Sequence, residues 1–244
     1  MGRKSNNKGK EKRLARKEEQ MRIALAKETV DKANKLTDPL EPFPVFSKFN
    51  KNGIEAELSI KRIANLDETV KQWIFNLTKM NMKSKYEDCS WGWNDTKKYE
   101  ELTDEDAWYL IAQSTDGKPL GFSHFRFDLD EGIEVLYCYE LQIEPSIMRR
   151  GLGKFMMQVL ELVAFTNHMR KVVLTVLKHN KCNYFFKALN YQLDESSPVD
   201  DDEETYPYAI LSKINKKLVA TNPLPSSSSI NSHNHHHHCC PGHH

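Results

Sequence analysis

Apolar positions along the chain change their period several times, and each change marks an element. Ile54, Ala56, Leu58 and Ile60 alternate with polar residues, the period of a half-buried strand. Asp67 then stands where it can cap a helix running to about Tyr86, with Val70, Trp73, Ile74, Leu77 and Met80 on one face. The loop Cys89-Ser90-Trp91-Gly92-Trp93-Asn94-Asp95 follows, then a short helix near Thr96–Leu102. Strands are predicted over Ala107–Gln113 and Leu120–Phe127, joined by the turn signal Asp116-Gly117-Lys118-Pro119, and over Val135–Ile143. Lys154–His168 is helical, Lys171–Leu177 an apolar strand and Asn183–Leu189 a short helix; Tyr191–Leu193 and Tyr208–Ser212 form a closing hairpin-like pair. This order predicts a mixed α/β sheet (α+β) with an antiparallel front half and one parallel crossover.

The flanks differ. Residues 1–10 are polar and basic, predicted disordered and compatible with a nuclear-import patch. Residues 11–36 have a helical composition with an irregular stripe of Leu14, Met21, Ile23, Leu25, Ala26, Val30 and Ala33, which predicts a helix docked only through its C-terminal half. Asp38-Pro39 and Pro42/Pro44 stop it. Residues 37–219 form the main domain, and 220–244 a Ser/His/Cys-rich tail without a fold of its own.

Composition adds one asymmetry. Lys+Arg total 35 against 34 Asp+Glu, yet residues 1–36 hold twelve bases and five acids, whereas 194–204 hold seven acids and no base. Such polarity points to a polyionic partner. No apolar run has the length of a membrane span, and the basic start is not followed by a secretory core. Five cysteines without framework spacing suit a reducing compartment, nucleus or cytoplasm. The His/Cys-rich tail lacks the paired spacing of a structural zinc site, so no metal is expected.

Chemistry concentrates in residues 134–163. Glu140 sits mid-strand among apolar residues, where desolvation favours proton uptake and suits a general base; a structural ion pair is the competing reading. An α-amino group titrates at about 7.7–8.0 in model compounds, so a weak base suffices to present it as the neutral amine. Tyr137 and Tyr139 read as core aromatics, although a phenol beside a reacting amine can orient it or protonate a leaving thiolate. The strand runs into Arg149-Arg150-Gly151-Leu152-Gly153-Lys154, where converging N–H groups, a helix N-terminus and three cations suit a diphosphate; a helix start with a basic surface is the competing reading of the turn alone. A phosphate-binding Walker loop is excluded, and a dinucleotide fingerprint lacks its third glycine.

Strand, basic glycine turn and helix resemble the acetyl-CoA signature of the GCN5-related N-acetyltransferases (GNAT), with the acyl-CoA N-acyltransferase fold. The strings MGRKS, DPLEPFPVF, SWGW, AWYLIA, FSHFRFD, EVLYCYE, GLGKF, LTVLKHN and SSP narrow the resemblance to the NatD family, N-terminal acetyltransferases of histones. That resemblance implies acetyl-CoA as donor and histones four and two-A, whose tails begin Ser-Gly-Arg-Gly, as acceptors and partners. It implies Glu140 as base with Tyr139 beside it, and a peptide pocket of Tyr86, Trp91, Asp128, Leu129, Asp130, Tyr137, Tyr139, Thr175 and Tyr208. On the CoA side it implies Leu141, Gln142, Ile143, Arg149, Arg150, Gly151, Leu152, Gly153, Lys154, Asn180 and Ser196.

A splayed strand edge at Leu141 can take the pantetheine amides as an added strand would. Asp128 and Asp130 suit the substrate arginine, or a solvated turn. Trp93 reads as a loop anchor, and the acidic run from Asp200 as a lip for a basic tail or a solvated loop. His179 reads as a surface histidine. Met148 departs from the general family pattern, which has Gln or Arg there, leaving phosphate binding to backbone amides and Arg149/Arg150. Gly2 is the acceptor position for N-myristoylation, but Asn6 holds the usual Ser/Thr place. A monomer without sequence-specific nucleic-acid binding or a transmembrane segment is expected, since no groove-reading motif accompanies the basic helix.

Overall fold

The computed structural model describes residues 5–201 and 204–221. Gly2, Asp202, Glu203 and the His/Cys tail lie outside the described residues. The elements are α1 (Ser5–Asn34), β1 (Lys48–Lys51), β2 (Ile54–Arg62), α2 (Glu68–Glu87), α3 (Asp95–Leu102), β3 (Trp108–Ser114), β4 (Pro119–Asp130) and β5 (Ile133–Ile143). After them come α4 (Leu152–Thr166), β6 (Lys171–Leu177), α5 (Cys182–Ala188), β7 (Gln192–Leu193), β8 (Tyr208–Ile214) and α6 (Lys216–Thr221).

All eight strands form one sheet in the order β1-β2-β3-β4-β5-β6-β8-β7. Among the described residues only the β5–β6 junction is parallel, with α4 as its crossover; the other pairs are antiparallel. The mixed sheet with an antiparallel front half is therefore the predicted one. Strand β1 was not foreseen. It is four residues long with one buried side chain, Phe49, so it carries no alternation to read. Its signal was the turn: Asn52 and Gly53 both have positive φ (54° and 71°), the Asn-Gly hairpin geometry.

The sheet is covered on both faces. One face packs Leu136, Cys138, Phe125 and Phe127 against Ala33, Met156, Leu160, Val163 and Phe186 from α1, α4 and α5. The other packs Tyr109, Ile111 and Phe122 against Ile74, Leu77 and Leu102 of α2 and α3. Two helix details differ from expectation. Asp67 holds the N-cap position of α2, but its side chain accepts no capping bond. Met80 is 59% exposed, because the inward face one turn after Leu77 belongs to Asn81, which bonds to β5. In α3 the cap is Asn94, whose Oδ1 accepts from Lys97 N at 3.0 Å.

Helix α1 begins at Ser5, so residues 5–10, expected to be disordered, are helical; the Lys/Glu/Arg/Ala-rich run from Lys10 onward has the propensity that carries the helix back through them. It docks through Ala26, Val30 and Ala33, while Leu14, Met21 and Leu25 stay exposed. Asn34 closes the dock: its Nδ2 donates to the Phe127 carbonyl (3.0 Å), and its own carbonyl accepts from Arg62 (2.6 Å).

Candidate active site

The site is set by where β5 and β6 part. Their parallel pairing covers Val135–Cys138 and Lys171–Leu174 only, although β5 continues to Ile143 and β6 to Leu177. From Tyr139 onward β5 therefore has no strand partner on its β6 side. At the same level its pairing with β4 slips: His124 faces Glu140 and Phe125 faces Cys138, so Tyr139 is the extra residue of a bulge. A bulge bends a strand and re-aims its side chains. Here it turns Tyr139, Glu140 and Gln142 towards the α2–α3 face, while Leu141 and Ile143 pack on the main core.

The glycine turn meets the end of this opening. Arg149 (φ 61°) and Gly151 (φ 96°) are left-handed, and Gly151 is the N-cap of α4 with no side-chain cap. The first N–H groups of α4 thus face the opening without a capping side chain, the arrangement that receives phosphates. Asn52 Nδ2 braces the turn by donating to the Arg150 carbonyl at 2.8 Å. A Cβ on Gly153 would meet Ile143, Phe185 and Leu141 at 3.7–3.9 Å, ordinary contacts, so protein packing does not demand a glycine there. Leu152 contributes only backbone, its side chain being buried in the core. Arg149, Arg150, Met148 and Lys154 are exposed. An open strand edge, an uncapped helix and three exposed cations fit an extended, pyrophosphate-bearing thioester.

Glu140 is buried but not among apolar groups, which corrects the expected surroundings. Its Oε2 accepts from Gln142 Nε2 at 2.8 Å, and its Oε1 lies 3.4 Å from Lys98 Nζ. Lys98, from α3, is itself buried and donates to Glu101 at 2.8 and 3.0 Å and to the Tyr86 hydroxyl at 3.3 Å. Burial works against the Lys98 charge, yet Glu140, Tyr86 and Glu101 outweigh it and hold its pKa above the ordinary lysine value. Burial, reinforced by Glu140, raises the Tyr86 phenol. Burial likewise raises the Glu101 carboxyl, against the pull of Lys98. His124 is fully buried between the rings of Tyr109 and Tyr139 (5.2 and 4.9 Å), with neither ring nitrogen hydrogen-bonded. Burial and the Arg126 charge push its pKa well below 6.5, so it stays neutral. Lys98, Glu101, His124 and Arg126 escaped the sequence reading.

Most of the expected peptide pocket gathers on the Glu140 face. Tyr86, Trp91 and Tyr208 form an aromatic chain, with centroids 5.6 and 5.1 Å apart. Trp93 lies edge-on to Tyr86 and donates to Asp95 at 2.5 Å, an anchor for the loop. The Tyr137 hydroxyl and Thr175 Oγ1 share a hydrogen bond at 2.6 Å across the β5–β6 junction. Tyr139 lies tilted against Tyr137 at 41°, and the Arg126 guanidinium sits over it, 4.9 Å from the ring centroid. On β4, Asp128 and Asp130 alternate with Phe127 and Leu129, and Asp128 Oδ1 accepts from Leu129 N at 2.7 Å.

Three expected residues are placed differently. The Leu129 side chain packs on the main core, on the sheet face away from Glu140, so only its backbone can meet a peptide there. Ser196 donates to Asp194 (2.8 Å), the partner of Lys171 (2.9 Å), in the connection between β7 and β8; the ion pair, not the glycine turn, fixes its orientation. Asn180 uses its Oδ1 to accept from Cys182 N (3.2 Å) at the start of α5. Elsewhere, His179 Nε2 bonds the Lys85 carbonyl (3.1 Å), joining the β6 end to α2, and Asp200 pairs with Lys178 (2.6 Å).

A sheet that opens after a single parallel pair, with an uncapped helix at the opening and a buried carboxylate on the bulged strand, defines an acyl-CoA N-acyltransferase fold. Residues 76–191 match the model of the Acetyltransferase (GNAT) family. That stretch, a little under half of the chain, is thus similar to GNAT acetyltransferases.

Similar solved structures include a GNAT-family acetyltransferase from Listeria monocytogenes (12% identity, TM-score 0.48, covering 68% of this chain and 99% of that one). The PaiA N-acetyltransferase from Thermoplasma acidophilum in complex with coenzyme A is 14% identical (TM-score 0.46, 65% and 99% covered). Spermidine N-acetyltransferase from Vibrio cholerae, in complex with CoA and spermine, is 12% identical (TM-score 0.48, 66% and 98% covered). Among the described residues no helix is long and apolar enough to cross a membrane, and no His/Cys/Asp/Glu group could hold a metal ion.

Proposed function

We propose that this protein is an N-terminal acetyltransferase of the NatD type, moving acetyl from acetyl-CoA to the α-amino group of histone tails that begin Ser-Gly-Arg-Gly. The observation that carries the reading is the position of Glu140, buried at the β5–β6 opening on the face shared by Tyr86, Trp91, Thr175 and Tyr208. Acetyl-CoA supplies the acetyl group. The open β5 edge and the α4 N-terminus hold the donor, with Arg149, Arg150 and Lys154 beside the phosphates. Glu140, oriented by Gln142 and Lys98, takes the proton of the α-ammonium, directly or through one water. The aromatic chain encloses a small first residue, while Asp128 and Asp130 receive the arginine in charge-assisted bonds.

Histones four and two-A are the partners on this reading, the enzyme acts as a monomer in the nucleus and cytoplasm, and imaging of the tagged full chain checks that location. The activity is tested with acetyl-CoA and a panel of N-terminal peptides, the product mapped by mass spectrometry. Acetyl on the α-amine of Ser-Gly-Arg-Gly is the expected product. Acetyl only on internal lysines, or only on small polyamines, would overturn the reading.

A further inference from the structure

We propose that Lys98 and Glu101 form a proton exit for Glu140, a relay carrying to solvent the proton that each acyl transfer releases; the proposal rests on Glu140 as the base. The transfer turns an ammonium and a thioester into an amide and a thiol, so one proton must leave per turnover. Glu140 itself is buried, so its proton has no direct path to bulk water. Its ion-pair partners lead outward. Side-chain exposure rises from 5% at Glu140 and 6% at Lys98 to 20% at Glu101, and the three are joined by contacts of 3.4 Å and 2.8 Å.

In the relay, Lys98 gives one proton to Glu101 as it takes one from protonated Glu140. The lysine ends as the ammonium it began, Glu140 is again a carboxylate, and neutral Glu101 releases its proton to water. The net charge of the three groups is unchanged by this exchange and falls by one only when Glu101 releases its proton to water, so the buried ammonium always faces at least one carboxylate.

Of the titratable groups packed around the pair, Tyr86, Tyr109 and His124 are poorer proton acceptors than Glu101. The Tyr86 phenol on α2 and the Tyr109 phenol on β3 are held protonated by burial and by Glu140, and take up no further proton. The β4 imidazole of His124 is kept neutral by burial and by Arg126. Arg126, also on β4, is tied to Asp104 at 3.2 Å, and a guanidinium has no acceptor for a proton. Glu101 is the group that burial has made readier to accept a proton, and it is the one that reaches water.

The test is steady-state kinetics of Glu101→Gln in the full chain with acetyl-CoA and a Ser-Gly-Arg-Gly peptide, across a series of imidazole concentrations. Glutamine keeps the shape and one acceptor for Lys98 but carries no proton onward. The relay predicts KM values near wild type, a kcat lower by roughly tenfold or more in dilute buffer, partial recovery with imidazole, and a larger solvent deuterium effect. A Glu101→Gln enzyme with wild-type kcat in dilute buffer would overturn the relay, as would a loss of kcat that imidazole leaves unchanged. Glu140→Gln is run alongside. Full activity there removes the base itself, whereas a slow Glu140→Gln beside an unimpaired Glu101→Gln removes only the relay.

Discussion

Both carboxylate oxygens of Glu140 are held, one by Gln142 and one by Lys98, so its direction is fixed before any substrate arrives. Its neighbour across the sheet, His124, has no such satisfaction, and this sets a pH dependence of stability. An imidazole whose pKa is depressed in the folded state binds its proton more tightly when unfolded. Its contribution is therefore intact above the unfolded value of 6.5 and is lost as pH falls below it, until the folded-state pKa is reached. Thermal unfolding of His124→Phe, which keeps the stack and removes the unpaired nitrogens, should depend less on pH between 7 and 5 than the parent protein; equal slopes would contradict this. At this scale the sequence was legible where a residue is chemically conspicuous. Glu140 stood out in an apolar strand, and Tyr86, Trp91 and Tyr208 came from the family resemblance. Lys98 and Glu101 did not, because a Lys/Glu pair three apart in a polar helix reads as a solvated face. Only the packing of α3 over the β5 bulge buries them.

Between elements, the decisive feature is the early end of the β5–β6 pairing, which no periodicity announces: β5 and β6 were both predicted as ordinary strands. The glycine turn was legible, and the structure separates the work of its two glycines. Gly151 has φ 96°, so Gly151→Ala strains the backbone and should cost about 1–2 kcal/mol of stability as well as donor binding. Gly153 is helical, with room for a Cβ. Gly153→Ala should leave Tm near the parent value and raise KM for acetyl-CoA several-fold by intruding on the phosphate side. Calorimetry and initial rates check both. A Gly153→Ala protein with unchanged KM would show that the cradle does not approach the donor closely.

Across the molecule, the α1 helix is half anchor and half free surface. Ala26, Val30 and Ala33 are buried and Asn34 ties the helix end to β4, whereas residues 9–18 are exposed. Removing residues 1–16 should leave thermal stability unchanged. Removing residues 1–34 exposes the Val30 site and should cost about 2 kcal/mol or more, read as a lower midpoint in denaturant titration. Equal midpoints for the two truncations would mean that the dock contributes nothing. The irregular stripe had pointed to docking by the C-terminal half alone, and the burial follows that division. The acidic segment is less of a free lip than its composition suggested, since Asp200 is already paired with Lys178.

The central claim is that Glu140 serves acetyl transfer to a peptide α-amine. Its most direct measurement compares wild-type and Glu140→Gln proteins, each with acetyl-CoA and a Ser-Gly-Arg-Gly peptide whose terminus is free or blocked, by mass spectrometry of the product. The account predicts α-amino acetylation by the wild type on the free peptide only, and a kcat lower by about 10²–10⁴ for the variant with little change in KM. Acetylation of the blocked peptide at its internal lysines, or an unimpaired Glu140→Gln enzyme, would contradict it.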